Sequence, residues 1–186
     1  MNSQNSYLLL AGSPKKKPST SESLGTYLLE RLNKKGLQTE TLNIHRALKT
    51  GQGCNELLAA IDRTGTLILA SPLYVDSLPA GVTKALEVIA KHRQTIKGPE
   101  GQRILAILNS GFPEARHNET AIAICRCFAR KTGLEWAGSL ALGAGEVISG
   151  GTLSSMGWIV RNVTRALDLT AKALAEGKPA PKEAIT

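Results

Sequence analysis

Gly12-Ser13-Pro14-Lys15-Lys16-Lys17-Pro18-Ser19-Thr20-Ser21 decides the fold of this chain. It joins a short apolar run, Tyr7–Ala11, to an apolar-periodic segment that begins near Leu24. A strand, a turn of small, hydroxyl and cationic residues, and then a helix make a seat for a phosphate. The helix start offers N–H groups without intrahelical acceptors, at the positive end of the helix dipole. Hydroxyls add donors and lysines add charge. Neither Gly-x-x-x-x-Gly-Lys-Ser/Thr nor Gly-x-Gly-x-x-Gly is present. Ser13, Ser19, Thr20 and Ser21 stand where those loops carry glycines, which suits a terminal phosphate monoester that accepts several hydrogen bonds. The plainer reading is a solvated Ser/Lys loop that caps a helix.

Strand and helix signals alternate from there to the end of the chain. The first helix spans Thr20–Lys35, with Leu24, Leu28, Leu29 and Leu32 on one face and Gly36 as its stop. Gln38–Ile44 is a second strand and Asn55–Arg63 a short helix. Gly65–Ala70 reads as a strand buried on both faces, and Pro79 opens a helix with a Val82, Leu86, Ile89 stripe. Arg103–Leu108 is the fourth strand. Asn118 is expected to cap a helix over Glu119–Thr132, with Gly133 after it. Leu134–Leu142 is the fifth strand. Ser154 or Ser155 is expected to cap a last helix carrying Met156, Ile159, Val160, Val163, Leu167, Thr170 and Leu174. The spans make one domain over 1–177, followed by a frayed tail over 178–186.

Five strands alternating with five helices specify an α/β three-layer sandwich, with a five-stranded parallel sheet covered by helices on both faces. Right-handed crossovers leave the flavodoxin-like strand order 2-1-3-4-5 as the leading arrangement. Ligands of such sheets bind beyond the carboxyl ends of the strands, at the switch point between strands 1 and 3. Three further loops lie at that edge. Ser71–Pro79 holds Pro72, Leu73, Tyr74 and Val75, with Tyr74 placed where a flat ring can rest. Asn109-Ser110-Gly111-Phe112-Pro113-Glu114 adds a polar amide, a glycine and a second aromatic. Gly143–Gly151 has four glycines in nine positions, which allow close backbone approach to a ligand or a partner and equally suit a mobile flap. Together the loops suit a ligand with a phosphate at one end and a flat, hydrogen-bonding ring at the other.

The totals narrow the classes. Of 186 residues, 42% are hydrophobic and 20% charged, as in a globular domain, and no apolar run approaches the roughly 20 residues of a membrane helix. The start Met1-Asn2-Ser3-Gln4-Asn5-Ser6 lacks the basic opening of a secretory signal, so the cytoplasm is expected. The net charge of +8 raises nucleic acid as a partner, but only 4% of residues are aromatic and no helix carries a basic face. Cys54, Cys125 and Cys127 show no framework spacing and read as structural or incidental thiols. His45, His92 and His117 read as surface histidines, with His117 best placed to approach the site.

The motifs Gly12-Ser13-Pro14-Lys15 through Ser19-Thr20-Ser21, and Ser71-Pro72-Leu73-Tyr74 through Leu78-Pro79-Ala80-Gly81-Val82-Thr83-Lys84, carry a family resemblance. The first resembles Gly-Ser-Pro-Arg/Lys…Ser-Asn-Ser/Thr, and the second Pro-x-Tyr…Pro-x-x-x-Lys. These belong to the NAD(P)H-dependent FMN reductases of the flavodoxin-like superfamily. The phosphate loop here is one residue longer, with Pro18 before the hydroxyl trio. The cysteine cluster of the iron–sulfur relatives is reduced to Cys54, so no cluster is expected. The resemblance implies an FMN cofactor and NAD(P)H as co-substrate, with hydride passing to the flavin and on to a quinone, free flavin or other small acceptor. It implies that Ser13, Lys15, Ser19, Thr20 and Ser21 hold the phosphate. Pro72, Leu73, Tyr74 and Val75 would line the ring, and Asn109, Ser110 and Gly111 would lie against its other edge. Lys16 and Lys17 are candidates for the extra phosphate of NADPH. No side chain is expected to act as nucleophile or base, and a homodimer is expected. The alternatives are a non-enzymatic electron carrier and a flavin-free binding module of the same fold.

Overall fold

The computed structural model describes residues 5–15 and 18–181. Five parallel strands, β1 (Ser6–Ala11), β2 (Gln38–Asn43), β3 (Thr66–Pro72), β4 (Arg103–Asn109) and β5 (Glu135–Leu142), form one sheet in the order β2-β1-β3-β4-β5. Alternate side chains of each central strand serve opposite cores. Leu8, Leu10, Leu67 and Leu69 pack under α3 (Gly51–Arg63), α4 (Ala80–Arg93) and α5 (Glu119–Thr132). Tyr7, Leu9, Ile68 and Ala70 pack under α1 (Thr20–Asn33) and α6 (Arg161–Ala175). A parallel sheet buried on both faces needs this two-sided apolarity. The expected order and layering are therefore those observed.

The departures lie where short-range chemistry overrides pattern. Ile44 leaves β2 because Asn43 Oδ1 accepts the Arg46 N–H (3.0 Å) and starts a one-turn helix, α2 (Ile44–Ala47). Thr50 Oγ1 accepts the Gly53 N–H (3.0 Å) and begins α3 four residues ahead of the expected start, through two glycines that hid it. Asn118 does not cap α5 with its side chain. Its Nδ2 donates instead to the carbonyls of Ala115 (3.0 Å) and Leu142 (3.3 Å). Neither Ser154 nor Ser155 starts the last helix: two 3-10 turns, Leu153–Ser155 and Gly157–Val160, come first, and Met156, Ile159 and Val160 fall outside α6. Arg31 on α1 binds Asp168 on α6 (2.9 Å) and ties those two helices together.

At the far edge of the sheet, Ala137 is an extra residue between the Ile104–Trp136 and Leu105–Gly138 pairs, a β-bulge. The start of the tail docks there: the Ala180 N–H donates to Ala137 O (2.7 Å). Residues 182–186 of the expected frayed tail lie outside the described residues. Among the described residues, no helix is long and apolar enough to cross a membrane. Cys125 is buried and Cys127 exposed on α5, and burial pushes the Cys125 thiol up to about 12.

Candidate functional site

The four loops expected to converge do so, and four backbone hydrogen bonds with one from a side chain close them into a ring. After β1, the Gly12 N–H donates to Ala70 O on β3 (2.8 Å). After β3, the Leu73 N–H donates to Asn109 O (2.8 Å). After β4, the Ser110 N–H donates to Leu142 O (2.9 Å), and Ser110 O accepts from the Gly145 N–H (2.8 Å). Gly145 O then accepts from the Thr20 hydroxyl (2.7 Å), back at the start of α1. Gly150 seals the circuit at a second point. It sits at φ +80°, and a Cβ there would stand 2.1 Å from Pro18 O. The Gly-rich segment is thus packed against the first loop.

Within this frame the hydroxyls have unequal freedom. Ser19 is the N-cap of α1: its Oγ accepts the Glu22 N–H (3.3 Å) while Glu22 Oε2 accepts the Ser19 N–H (3.1 Å), a full capping box. Ser21 Oγ lies 3.4 Å from Ser19 Oγ. Thr20 commits its one hydroxyl proton to Gly145, so only its backbone N–H is left to donate to a ligand. Ser13 is buried, and its Oγ accepts the Lys15 N–H (3.3 Å), while the Lys15 side chain is exposed. Lys16 and Lys17, the candidates for a second phosphate, lie outside the described residues.

The loop after β3 is stiffened at its base. Tyr74 and Ser77 form an antiparallel bridge around Val75 and Asp76, which take φ of +49° and +57°. Both central residues of this turn are left-handed, as in the tight turns that Asn-Gly pairs usually make. A β-branched residue there stores strain. Tyr74 is 43% exposed, and Val75 is wholly exposed at the tip. Beside the base of this loop, Asn109 ends β4 and is buried, and its Oδ1 has no hydrogen-bond partner among the described residues. An orphaned buried acceptor costs about 1–3 kcal/mol and marks a place that a donor satisfies. Ser110 is absorbed in joining the loops, with its Oγ 3.4 Å from Phe112 O, and Gly111 is exposed. Phe112, half-exposed, stacks on His117 with ring centroids 4.5 Å apart.

The histidine expectation is corrected. His117 is held by Phe112 and by Glu114 (3.6 Å), whereas His45 reaches the phosphate loop. His45 Nε2 lies 3.1 Å from Gly12 O, and because a carbonyl only accepts, Nε2 carries the proton. Its ring rests on the first turn of α4, where a Cβ on Gly81 would stand 2.3 Å from His45 Cε1. Sequence reasoning missed this role. The available signal was a polar aromatic at the carboxyl end of β2, next to the switch point. His92 bonds Asp62 (2.8 Å) near the last turn of α4, at the opposite end of the sheet.

A cleft of about 840 Å³ opens on the β2 side of the phosphate loop, with Ser13, Lys15, Asn43, His45, Arg46 and Lys49 among its walls. None of Pro72–Val75 or Asn109–Gly111 lines it. The phosphate loop therefore divides two spaces: the interlocked loops on one side and this open cleft on the other.

Comparison with known proteins bears on the family and the fold. The sequence profile described as NADPH-dependent FMN reductase matches residues 6–110. No curated protein matches the chain in sequence. Among solved structures, it is similar to an FMN-dependent NADH-azoreductase from Bacillus anthracis in complex with FMN (TM-score 0.64, 16% identity, covering 91% of this chain and 99% of that one). It is also similar to an NADH:FMN oxidoreductase (TM-score 0.65, 15% identity, covering 96% and 92%). A third likeness is to rubredoxin oxygen:oxidoreductase from Desulfovibrio gigas (TM-score 0.65, 13% identity, covering 93% of this chain), of whose length the chain spans 36%. At these identities the structures show the shared fold. The profile covers more than half of the chain, including the phosphate loop, His45 and the Pro-Leu-Tyr turn: the chain belongs to the NADPH-dependent FMN reductase family.

Proposed function

We propose that the protein binds FMN among the four interlocked loops and acts as an NAD(P)H-dependent oxidoreductase delivering electrons to a quinone, free flavin or other small acceptor. The observation that carries this reading is the closed circuit of four loops at the carboxyl ends of the strands, with the buried Asn109 Oδ1 left without a partner among the described residues. A flavin ring presents an N–H that such an acceptor suits. The residues present fit the group. Ser13, Ser21 and the first N–H groups of α1 suit the phosphate, and Lys15 opposes its charge. Ser19 contributes by fixing the helix start, and Thr20 by joining that start to Gly145. Pro72, Leu73, Tyr74 and Val75 form one wall, and Asn109, Ser110 and Gly111 the other.

When bound, FMN accepts and passes on the hydride equivalent. The chain's own task is to hold and orient. The circuit of loops fixes the two walls relative to each other, and His45, proton on Nε2, keeps Gly12 in place. Glu22 is kept off the phosphate by its own cap, which occupies Oε2 with the Ser19 N–H and Oγ. Support for a homodimer comes from the exposed apolar groups of Val147, Trp158 and Ile159 after β5, which a second copy would cover. A cytoplasmic site goes with three free thiols and a nicotinamide co-substrate.

Titration of the purified protein with FMN, followed by flavin fluorescence, tests the reading. Saturable quenching, with NAD(P)H oxidation that depends on added quinone or flavin, is expected. Protein that takes up no FMN overturns it. FMN uptake without NAD(P)H oxidation points to the electron carrier instead.

A further inference from the structure

The charges at the carboxyl edge of the sheet are sorted by side. Residues 12–19 and 44–50, after β1 and β2, carry Lys15, Lys16, Lys17, Arg46 and Lys49 and no carboxylate. The loops after β3, β4 and β5 reverse this balance. Each exposes one carboxylate: Asp76 in the left-handed turn, Glu114 beyond Phe112, and Glu146 after Gly145. Residues 73–79, 110–118 and 143–160 hold a single lysine or arginine, Arg116. Glu146 reaches the ring wall itself, with Oε1 3.7 Å from where a Cβ on Gly111 would stand. Its backbone is fixed on both sides, by the Gly145 N–H on Ser110 O (2.8 Å) and the Val147 N–H on Ala144 O (3.1 Å). A Cβ on Gly145 would stand 2.9 Å from Asn109 Nδ2, so Glu146 follows directly on the residue that packs against the amide with the buried, unpartnered Oδ1. Among the described residues, neither Asp76 nor Glu146 pairs with a cation, and Glu114 pairs with His117 alone (3.6 Å). A carboxylate accepts hydrogen bonds and donates none, so this end of the site suits groups that bring N–H, O–H or positive charge.

We infer that Glu146, with Asp76 and Glu114, selects the electron acceptor by charge: uncharged and cationic acceptors are admitted to the ring end of the site and anionic ones are turned away. The inference rests on the oxidoreductase reading above and adds to it the class of acceptor. Among the acceptors proposed there, it favours an uncharged quinone over a free flavin that carries a phosphate. The net charge of +8 taken alone implies the opposite, attraction of anions. At 0.1 M salt, however, charges more than about 10 Å away are largely screened, and the carboxylates at the mouth outweigh the distant lysines and arginines. NAD(P)H is no exception, because its nicotinamide ring is uncharged and its phosphates lie farther along the molecule.

Stopped-flow oxidation of the reduced, FMN-loaded protein tests this, with salt raised from about 0.1 to about 0.5 M. Three acceptors are compared: ferricyanide, a trianion; benzoquinone, uncharged; and hexaammineruthenium(III), a trication. Reduced FMN gives up two electrons and two protons. One benzoquinone takes all of them to become its hydroquinone, whereas two ions of either complex take one electron each and the protons go to buffer. As salt rises, the ferricyanide rate is expected to increase about twofold or more, the ruthenium rate to fall by a similar factor, and the benzoquinone rate to stay level. The triple variant Asp76→Asn/Glu114→Gln/Glu146→Gln is expected to lose or reverse both trends. A ferricyanide rate that falls with salt in the wild type, or shows no trend, overturns the inference, as do trends that survive in the variant. The same field is read without flavin through a Phe112→Cys thiol in Cys54→Ser/Cys127→Ser protein. Its rate with dianionic dithiobis(nitrobenzoate), divided by its rate with uncharged dithiodipyridine, cancels the thiol's own ionisation. That ratio is expected to rise about twofold or more when the three carboxylates are neutralised, and an unchanged ratio overturns the inference. A wild type that takes up no FMN sinks the oxidoreductase reading, yet the thiol ratio still decides whether the mouth repels anions.

Discussion

The two spaces beside the phosphate loop are built in opposite ways. Toward β3, β4 and β5, five hydrogen bonds of 2.7–2.9 Å link the loops in a closed circuit. Toward β2, the wall is a one-turn helix and the start of α3, with exposed charged side chains facing an open cleft. The first side spends most of its polar groups on itself and, among the described residues, leaves two buried amide oxygens, Asn109 Oδ1 and Asn118 Oδ1, without a partner. The second leaves Lys15, Arg46 and Lys49 without a carboxylate partner among the described residues. Shape held by backbone suits a cofactor that stays, and loose charge suits a substrate that comes and goes.

The contrast breaks most readily at Gly150. Gly150→Ala places a methyl group against Pro18 O at a left-handed φ and is expected to cost more than about 2 kcal/mol in urea unfolding, with loss of FMN binding. A variant as stable as the wild type would show that the circuit is not a constraint. Thr20→Val removes one of the two donors to Gly145 O, leaving the Ile148 N–H (3.2 Å), and is expected to cost about 1 kcal/mol and to weaken FMN binding. His45→Ala probes the link between the two sides. Losing its bond to Gly12 O is expected to cost about 1 kcal/mol and to lower affinity for FMN, read by fluorescence titration. An unchanged affinity would show that His45 serves the β2 side alone. Val75→Gly relieves backbone strain and is expected to gain about 1 kcal/mol in the same unfolding assay, since glycine accepts positive φ freely.

The smallest effect lies far from both spaces, at Asp62. Burial pushes its carboxyl up, but hydrogen bonds from His92 and Arg93, and their charges, outweigh burial and hold it below the usual carboxylate range. A carboxyl depressed in the folded state stabilises the protein above the unfolded range near pH 4. That contribution fades as pH falls through the folded value. With Asp62 about a third exposed, solvent screening keeps it under about 1 kcal/mol. Asp62→Asn is expected to flatten the acid limb of a stability–pH curve by that amount, with FMN affinity unchanged.

What the sequence revealed divides along physical lines. The sheet order was legible because runs such as Leu67–Leu69 and Ile104–Leu108 are apolar on both faces, and that pattern survives any loop detail. The phosphate loop was legible from residue types at a strand–helix junction. His45 was not, because its partner Gly12 is 33 residues away and the bond depends on the room left by Gly81. The commitment of Thr20 to Gly145 spans 125 residues and has no local signature. The starts of α2 and α3 were hidden because single side-chain caps, Asn43 and Thr50, set them against weak helix formers.

The docked tail has a consequence for how copies of this chain behave in solution. An open sheet has two edges, and each is a template on which another chain can add a strand. At the β5 edge, the Ala137 bulge interrupts the ladder and the Ala180 N–H occupies its carbonyl. At the other edge, β2 is short and carries Glu40, which Arg63 binds at 2.7 Å. Shortening the chain before Ala180 would uncover the β5 edge and favour fibrous, edge-to-edge association over closed assembly.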